Sequence, residues 1–350
     1  MTPDARCVYV FAPNWLGDAV MALPAIADLR RHFARAQFVV AARPSVASVF
    51  ELVPGIDRVV TLRWRGRAPW TRTFQADLEM LRADGEPGRS IAVLLPNSFA
   101  VAWVAKRAAI AERWGYATDW RESLLTRSVP VARGSVHQGR YYQQLTAALG
   151  VASGPLEPRV DVPGAIRERA TTRLQQAGWD GKQPLVVMAP GAAYGTAKRW
   201  LPAYFAQLIA SLARNHGVRT VLVGGPGDVA TVRTLLQDDA ARAARPIDLV
   251  SGTSLHELAG VIALSSACVS NDSGAMHLAG AIGTPIVALF GPTRETETAP
   301  LIRADGRRDV LINPVWCRPC MLRECPIDHR CMKGLSPQRV LEAVGRGLPA

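Results

Sequence analysis

Short apolar runs alternate with amphipathic stretches along both halves of the chain, and this alternation constrains the fold more than any other feature of the sequence. Such runs are typical of buried strands, and the stretches between them are typical of helices that cover a parallel sheet. The pattern therefore predicts an α/β chain built from βα units. The apolar runs are 7–12, 37–42, 58–62 and 90–95 in the first half, and 184–189, 219–224, 247–250, 267–270 and 285–291 in the second.

A chain of 350 residues exceeds the size at which a single core usually stops growing, so two domains are expected. Residues 150–165 are rich in Gly and Pro and lack periodicity, which places a linker there. We expect Rossmann-like domains over 1–160 and 161–350. The Ser-Pro start and apolar spacing of 336–348 predict a closing helix, for which packing back on the N-terminal domain is one option. Parallel sheets bind ligands at the carboxyl ends of their strands, so the chemistry is expected there.

The formal net charge of +12 favours an anionic partner, with a basic surface that serves only solubility as the alternative. The sequence has no zinc-finger or RNA-recognition signature, so a phosphorylated small molecule or an anionic lipid surface ranks above nucleic acid. No apolar run approaches the ~18 residues of a membrane span, and the first residues lack the pattern of a signal peptide. We expect a cytoplasmic protein whose six cysteines are buried, reactive or metal-binding rather than disulfide-bonded.

Four small polar residues, 271–274, lie where a predicted strand meets a predicted helix. The free N–H groups and partial positive charge of a helix N-terminus favour an anion there. Ser273 and Gly274 allow a phosphate to approach the backbone, and Asp272 either caps the helix or binds a ligand hydroxyl. His277, one turn on, is a phosphate contact or a packed histidine.

Two further loops follow predicted strands of the second half. The loop 189–200 has two glycines, Gly191 and Gly195, before Lys198, which favours a phosphate-contacting cation, although a solvated Lys-Arg pair is the alternative. The loop in VLVGGPGDVA, 221–230, fits G-x-G-x-x-A but lacks the acidic residue about 20 positions further on that a dinucleotide site requires. An NAD-dependent oxidoreductase is therefore a weak alternative. Asp228 in this loop is either a ribose contact or a helix N-cap.

In the first half, the loop after the first strand carries one carboxylate, Asp18, at a predicted helix start. A carboxylate beside an acceptor hydroxyl can act as a general base, and a plain N-cap is the alternative.

Four segments together resemble a known family, in order and over nearly the whole chain: NWLGDAVMALPAI, LPNSFAVAWVAKRAAIAERWGY, PGAAYGTAKRW and NDSGAMHLAGAIGTPIVALFGPT. They are similar to the ADP-heptose:lipopolysaccharide heptosyltransferases of glycosyltransferase family 9, and the cysteine-rich segment 316–332 is most similar to the type II members. The resemblance implies a GT-B fold, with two Rossmann-like domains facing across a cleft. It also implies inverting transfer of L-glycero-D-manno-heptose from ADP-heptose to the first heptose of the lipopolysaccharide inner core.

The resemblance assigns roles to particular residues. Asp18 matches the family's proposed base, Lys198 its phosphate-contacting lysine, residues 272–274 its diphosphate loop and Asp228 an acidic ribose contact. The N-terminal domain is expected to bind the acceptor and the C-terminal domain the donor. No cofactor is expected to be required, because metal-dependent glycosyltransferases usually carry a D-x-D motif and none occurs here. A heptosyltransferase of type I or III and a non-catalytic glycan-binding protein are the alternatives.

Two further groups of residues each have two interpretations. The cysteines Cys317, Cys320, Cys325 and Cys331 have a C-x₂-C-x₄-C-x₅-C spacing that suits either a structural metal or reduced thiols. Arg63, Arg65 and Arg121 lie in basic loops of the first half and are expected to bind the carboxylates of the acceptor, with solvated surface arginines as the alternative. The expected acceptor is lipid-anchored, so we also expect peripheral association with the cytoplasmic face of the inner membrane.

Overall fold

The computed structural model describes residues 5–64, 66, 71–83, 88–131 and 134–348. The chain divides into two compact units, Met1–Val160 and Asp161–Ala350. Each unit holds one parallel six-stranded sheet flanked by helices, so the predicted α/β fold class is confirmed. Two Rossmann-type units are the components of the GT-B fold that the resemblance implies.

In the N-terminal unit, the described residues form six strands and six α-helices. The strands are β1 (Cys7–Phe11), β2 (Gln37–Ala42), β3 (Arg58–Thr61), β4 (Ser90–Leu94), β5 (Glu112–Tyr116) and β6 (Arg127–Val129). The helices are α1 (Leu16–Met21), α2 (Leu23–His32), α3 (Ala47–Phe50), α4 (Arg72–Arg82), α5 (Phe99–Arg107) and α6 (Gln138–Ala148), with a 3₁₀ turn at Glu122–Leu124.

The C-terminal unit repeats this plan within the described part of the chain. Its strands are β7 (Leu185–Ala189), β8 (Arg219–Leu222), β9 (Ile247–Asp248), β10 (Ala267–Asn271), β11 (Ile286–Phe290) and β12 (Arg308–Ile312). Its helices are α7 (Gly164–Gln176), α8 (Pro202–His216), α9 (Val229–Leu235), α10 (Asp239–Ala243), α11 (Leu255–Ala263), α12 (Gly274–Ile282), α13 (Glu295–Thr298), α14 (Arg330–Lys333) and α15 (Pro337–Gly345), with 3₁₀ turns at Thr196–Lys198 and Pro226–Asp228.

The order of strands is the same in both sheets. The first sheet runs β3-β2-β1-β4-β5-β6, and the second runs β9-β8-β7-β10-β11-β12, with every described pair parallel. This is the doubly wound 3-2-1-4-5-6 arrangement, in which the strand order reverses between the first and fourth strands. Ligands bind such sheets at the carboxyl ends of those two strands. The loops after β1 and β4, and those after β7 and β10, are therefore the positions to search.

The strands that carry these loops are fully buried, because helices cover both faces of each sheet. β1, β4, β7, β10 and β11 are buried at every residue. Their apolar character explains why the sequence predicts them so clearly.

The predicted closing helix is α15. Its N-cap Ser336 accepts a hydrogen bond from the Arg339 amide (3.3 Å) and Pro337 occupies the first turn, as the Ser-Pro start predicts. Val340 and Val344 are buried against α8 in the core of the C-terminal unit. This packing belongs to the core of the C-terminal unit. Within the described residues, no helix is both long and apolar enough to cross a membrane.

Candidate active site

The site in the C-terminal unit begins with Asn271, the last residue of β10. Its buried side chain accepts a hydrogen bond from the Trp200 amide (3.0 Å) and donates one to the carbonyl oxygen of Pro190 (2.8 Å). Both partners belong to the loop after β7. Asn271 therefore fixes that loop against the end of β10, at the position where the strand order reverses.

This loop places Lys198 beside Asp272. The Lys198 Nζ donates to Asp272 Oδ2 over 2.6 Å, and the hydroxyl of Thr293, after β11, donates to the same oxygen over 2.7 Å. The side chains of Lys198 and Asp272 are only 13% and 6% exposed. The ammonium group also lies 4.8 Å from the centre of the Tyr194 ring, within cation–π range. Lys198 is thus held by an ion pair, and the alternative of a solvated Lys-Arg pair is wrong.

The N-terminus of α12 follows directly. Ser273 is its N-cap residue and makes no side-chain capping bond to the helix, so the interpretation of Asp272 as the N-cap is wrong. The Ser273 hydroxyl lies 2.9 Å from that of Ser270, and Ser273 and Gly274 are half-buried. The first N–H groups of a helix lack partners within the helix, which suits an anion beside Lys198. His277 is 3% exposed and lies inside the unit, as the packed alternative predicts.

Asp228 occupies a neighbouring loop and has partners of its own. Its carboxylate accepts a hydrogen bond from the Gly225 amide (3.0 Å) and lies 3.6 Å from the guanidinium of Arg199. A Cβ atom at Gly191 would overlap this carboxyl group, so the close approach of the two loops requires glycine there. Asp228 is at the N-cap position of α9 but makes no capping bond to it. It joins the loops after β7 and β8, and a ribose would have to share it with Arg199.

In the N-terminal unit, Asp18 lies in the first turn of α1, immediately after the loop that follows β1. The N-cap residue of this helix is Trp15, so the alternative of Asp18 as the N-cap is wrong. Asp18 is half-buried, and its negative charge acts on Tyr142 of α6. Burial raises the pKa of the Tyr142 hydroxyl, and the charge of Asp18 raises that pKa further. A protonated hydroxyl therefore lies near this carboxylate at neutral pH.

The arginines predicted to bind the acceptor differ in their exposure and surroundings. Arg63 is exposed, and the buried carboxylate of Asp77 fixes its backbone by accepting from the amides of Arg63 (3.1 Å) and Trp64 (2.8 Å). Arg65, and with it Arg67 of the same loop, lies outside the described residues.

Both the expectation that Arg121 binds the acceptor's carboxylates and the alternative of a solvated surface arginine require an exposed side chain, and the structure shows a buried one. Its guanidinium is fully buried and donates to the carbonyl oxygens of Tyr116 (3.0 Å) and Pro96. Burial lowers its pKa to about 10, which leaves it charged at neutral pH. Arg121 therefore links the loops after β4 and β5 instead of contacting an acceptor directly.

The four cysteines of the segment 316–332 line one pocket of about 280 Å³. Cys320 is exposed, Cys317 and Cys325 are half-buried and Cys331 is buried. Among the described residues, no three thiol, imidazole or carboxylate groups are arranged so as to hold a metal ion. The segment contacts the Lys198 loop, since the Tyr194 hydroxyl donates to the Met321 carbonyl (2.9 Å) and the Ala197 amide to that of Arg323 (3.0 Å).

Comparison with known proteins identifies the family. The model of glycosyltransferase family 9 (heptosyltransferase) matches residues 88–330, which is more than half of the chain. The chain belongs to glycosyltransferase family 9. It is therefore a glycosyltransferase, and the weak oxidoreductase alternative is wrong.

Relatives of this glycosyltransferase match over nearly their full length. It is 28% identical to lipooligosaccharide heptosyltransferase 2 of Haemophilus ducreyi, over 97% of this chain and 98% of the relative. It is 27% identical to lipopolysaccharide heptosyltransferase 2 of Escherichia coli K12, over 96% of both chains. The solved structure of the E. coli ADP-heptose lipopolysaccharide heptosyltransferase II superposes with a TM-score of 0.79 at 25% identity, over 97% of this chain and 98% of that one.

Sequence reasoning gave no site role to three residues that organise this glycosyltransferase site: Asn271, Thr293 and Arg199. Asn271 and Thr293 each follow a predicted strand, and that placement was the available signal. The partners of Asn271 are 71 or more positions away in the chain, and the partner of Thr293 is 21 positions away. Only the assembled sheet therefore reveals these contacts.

Proposed function

We propose that this glycosyltransferase transfers L-glycero-D-manno-heptose from ADP-heptose to the first heptose of the lipopolysaccharide inner core, as a type II heptosyltransferase. The proposal is supported by relatives of that name, which match over nearly their full length, and by the ADP-heptose named for the E. coli structure. The observation that carries it is the buried lysine beside a helix N-terminus at the strand-order reversal of the C-terminal unit.

The donor would bind to the C-terminal unit through its diphosphate. We assign the diphosphate to the Lys198 ammonium and to the N–H groups of Ser273 and Gly274. Charge accumulates on this diphosphate as the bond to the sugar breaks, so a fixed cation and helix N-terminus stabilise the transition state more than the ground state. These groups would perform the task that Mg²⁺ performs in enzymes with a D-x-D motif.

The acceptor would bind to the N-terminal unit, where Asp18 removes the proton from the attacking hydroxyl. Direct attack on the anomeric carbon, with departure of ADP from the opposite face, inverts that centre. Arg63 is proposed to bind an acidic group of the acceptor, because it is exposed on a loop whose start is fixed by Asp77. Since this acceptor is lipid-anchored, we also propose peripheral association with the cytoplasmic face of the inner membrane.

Incubation with ADP-heptose and defined acceptors, read by mass spectrometry, tests the proposal. The acceptors should carry no heptose, one heptose or two heptoses on the same Kdo₂-lipid A. We expect one added heptose only on the acceptor that already carries one. Addition to either of the others would instead indicate type I or type III, and addition to none would refute heptose transfer to this core.

The Lys198→Ala variant tests whether Lys198 binds the diphosphate of the donor. It should weaken ADP binding and turnover together, whereas EDTA should leave the wild-type rate unchanged. Loss of activity with EDTA and its recovery with Mg²⁺ would contradict the assignment of the diphosphate to Lys198 and α12 alone.

A further inference from the structure

Three exposed aromatic side chains lie at the carboxyl ends of adjacent strands in the N-terminal unit. Trp15 follows β1, Phe99 follows β4 and Trp120 follows β5; they are 63%, 42% and 95% exposed. β1 pairs with β4, and β4 pairs with β5. Neighbouring strands are about 4.8 Å apart, so the three loops span about 10 Å along one edge of the sheet. We call these three residues the aromatic platform.

The platform adjoins the proposed base. Trp15 is the N-cap residue of α1, and Asp18 lies in the first turn of the same helix. Asn14, next to Trp15, and Ala100, next to Phe99, line one small cleft of about 30 Å³. Trp15 and Phe99 are thus chain neighbours of residues that line this cleft, which Arg43 and Asp77 also line, and they follow the two strands between which a doubly wound sheet binds its ligand.

The loops that carry Phe99 and Trp120 are tied to each other. The Asp119 carboxylate accepts a hydrogen bond from the Phe99 amide (2.5 Å), and the Thr118 hydroxyl donates to the Asn97 carbonyl (3.0 Å). Arg121, in the second of these loops, has a buried guanidinium that donates to the carbonyl oxygens of Pro96, in the first loop, and of Tyr116, the last residue of β5. A ligand would therefore meet rings whose backbone is already ordered, which lowers the entropy lost on binding.

Stability does not account for this arrangement. Asp119 and Trp120 both have positive φ, at 50° and 56°, a region that residues other than glycine adopt at a cost. The Trp120 side chain recovers none of that cost through burial. Non-glycine residues in this region of φ cluster at active sites and ligand-binding positions.

The chemistry around the rings distinguishes a sugar from a membrane. Asn14, Asn97 with Ser98, and Thr118 with Asp119 directly precede the three aromatic residues in the chain, so each of these loops also carries hydroxyl, amide or carboxylate groups. The described residues 13–15, 97–99 and 118–120 contain no Lys or Arg, and their one charge is negative. An anionic lipid surface attracts basic residues, whereas a neutral sugar offers hydroxyls to these polar groups and an apolar ring face to an aromatic side chain.

We infer that the aromatic platform binds the apolar ring faces of the acceptor's sugars, with the accepting heptose nearest Trp15 and Asp18. This inference rests on the proposed function. It assigns the rings to acceptor affinity and Arg63 to the acidic groups of the same acceptor.

The test uses Trp120→Ala and Phe99→Ala in the full-length protein. The acceptor is the heptosyl-Kdo₂ oligosaccharide freed of its acyl chains, so that no membrane is needed. Each variant should raise the KM for this acceptor about tenfold, while the KM for ADP-heptose stays unchanged. Trp120→Phe should restore most of the loss, because it keeps an aromatic face. Trp316→Ala, at a 77% exposed tryptophan of the C-terminal unit, is the matched control and should leave the acceptor KM unchanged.

Co-sedimentation with vesicles that contain anionic phospholipid completes the experiment. Variants that lose vesicle binding but keep the wild-type KM for the soluble acceptor would show a membrane contact and overturn the inference. An unchanged acceptor KM with unchanged vesicle binding would overturn it as well. If the wild type transfers no heptose to any acceptor, the proposed function fails, which is distinct from failure of the platform.

Discussion

Replacement of Asp272 by Asn tests the central contact of the donor site. The Asp272→Asn change keeps the shape of the side chain and can still accept the hydrogen bond of Thr293, but it removes the negative charge beside Lys198. The remaining ammonium is 13% exposed and lies next to the N-terminus of α12, whose partial charge is also positive. The cation–π contact with the Tyr194 ring, whose centre lies 4.8 Å from Nζ, then remains as a favourable interaction of the ammonium group.

The expected loss of stability follows from these surroundings. Breaking a buried ion pair by removing one partner costs about 3–5 kcal/mol, and the partial exposure of Lys198 places this pair at the lower end of that range. We expect Asp272→Asn to lower the free energy of unfolding by about 3 kcal/mol. For a unit of this size, that corresponds to a fall in Tm of roughly 6–12 °C. Lys198→Met should cost less, since Asp272 keeps the Thr293 hydroxyl at 2.7 Å and the favourable end of α12.

A double-mutant cycle measured by urea unfolding and thermal melting checks this reasoning. The variant with both changes should be more stable than Asp272→Asn alone, because it leaves no unpaired charge. A coupling energy of about 2 kcal/mol is expected between the two positions. If Asp272→Asn melts at the wild-type temperature, or if the coupling is below about 0.5 kcal/mol, the ion pair does not hold Lys198 and the argument for a pre-positioned cation is refuted.

Three further outcomes are expected. Asp18→Asn should lower kcat by roughly 10²-fold or more while ADP affinity in calorimetry stays unchanged, and near-normal turnover would remove its role as base. Arg63→Ala should raise the acceptor KM several-fold. The wild-type acceptor KM should rise with salt, because the attraction between exposed charges is screened over about 10 Å at 0.1 M ionic strength. If the acceptor KM changes neither with this substitution nor with salt, Arg63 does not bind the acceptor. Desolvation raises the pKa of Glu295, but the hydrogen bond and charge of Arg318 at 2.7 Å outweigh it and leave that pKa lowered. The pair therefore stabilises the fold above the ordinary pKa of 4.5 and loses this effect as pH falls through the lowered value, a dependence that Glu295→Gln should remove in urea titrations at different pH.

The apolar pattern predicts nine of the twelve described strands, and the other three show where it fails. β5, with the sequence ERWGY, buries Trp114 and Tyr116 but has no apolar run. Arg113 occupies the same strand because its guanidinium donates to the carbonyl oxygens of Leu124 (2.7 Å) and Ile110 (2.6 Å). β6 and β12 are edge strands with charged, partly exposed residues, so the burial that produces an apolar run is weak there.

The candidate site was predictable to the extent that it depends on chain position. Lys198, Asp272 and Asp18 follow predicted strands, and the direction of a parallel sheet brings the ends of its strands to one edge. Their pairing was not predictable, since the contact of Asp272 with Lys198 spans 74 positions and that with Thr293 spans 21. The prediction for Arg121 was wrong for the same reason, because its contacts are formed only in the folded chain. An arginine in a polar loop usually belongs to the surface, and only the two carbonyl oxygens that the fold places around it explain its burial.

Alkylation tests whether the cysteine-rich segment exists as reduced thiols and whether it supports the donor site. Cys320 is exposed, whereas Cys268 is buried and burial raises its pKa to about 12. Iodoacetamide should therefore modify Cys320 first and Cys268 only after unfolding, because the thiolate is the reactive form. The rate at Cys320 should be the same with and without a chelator, and acceleration by the chelator would indicate a bound metal instead. Since Tyr194 and the Ala197 amide bond to carbonyl groups of this segment, modification should also weaken ADP binding. Full ADP affinity in the alkylated protein would show that the Lys198 loop keeps its position without support from the cysteine segment.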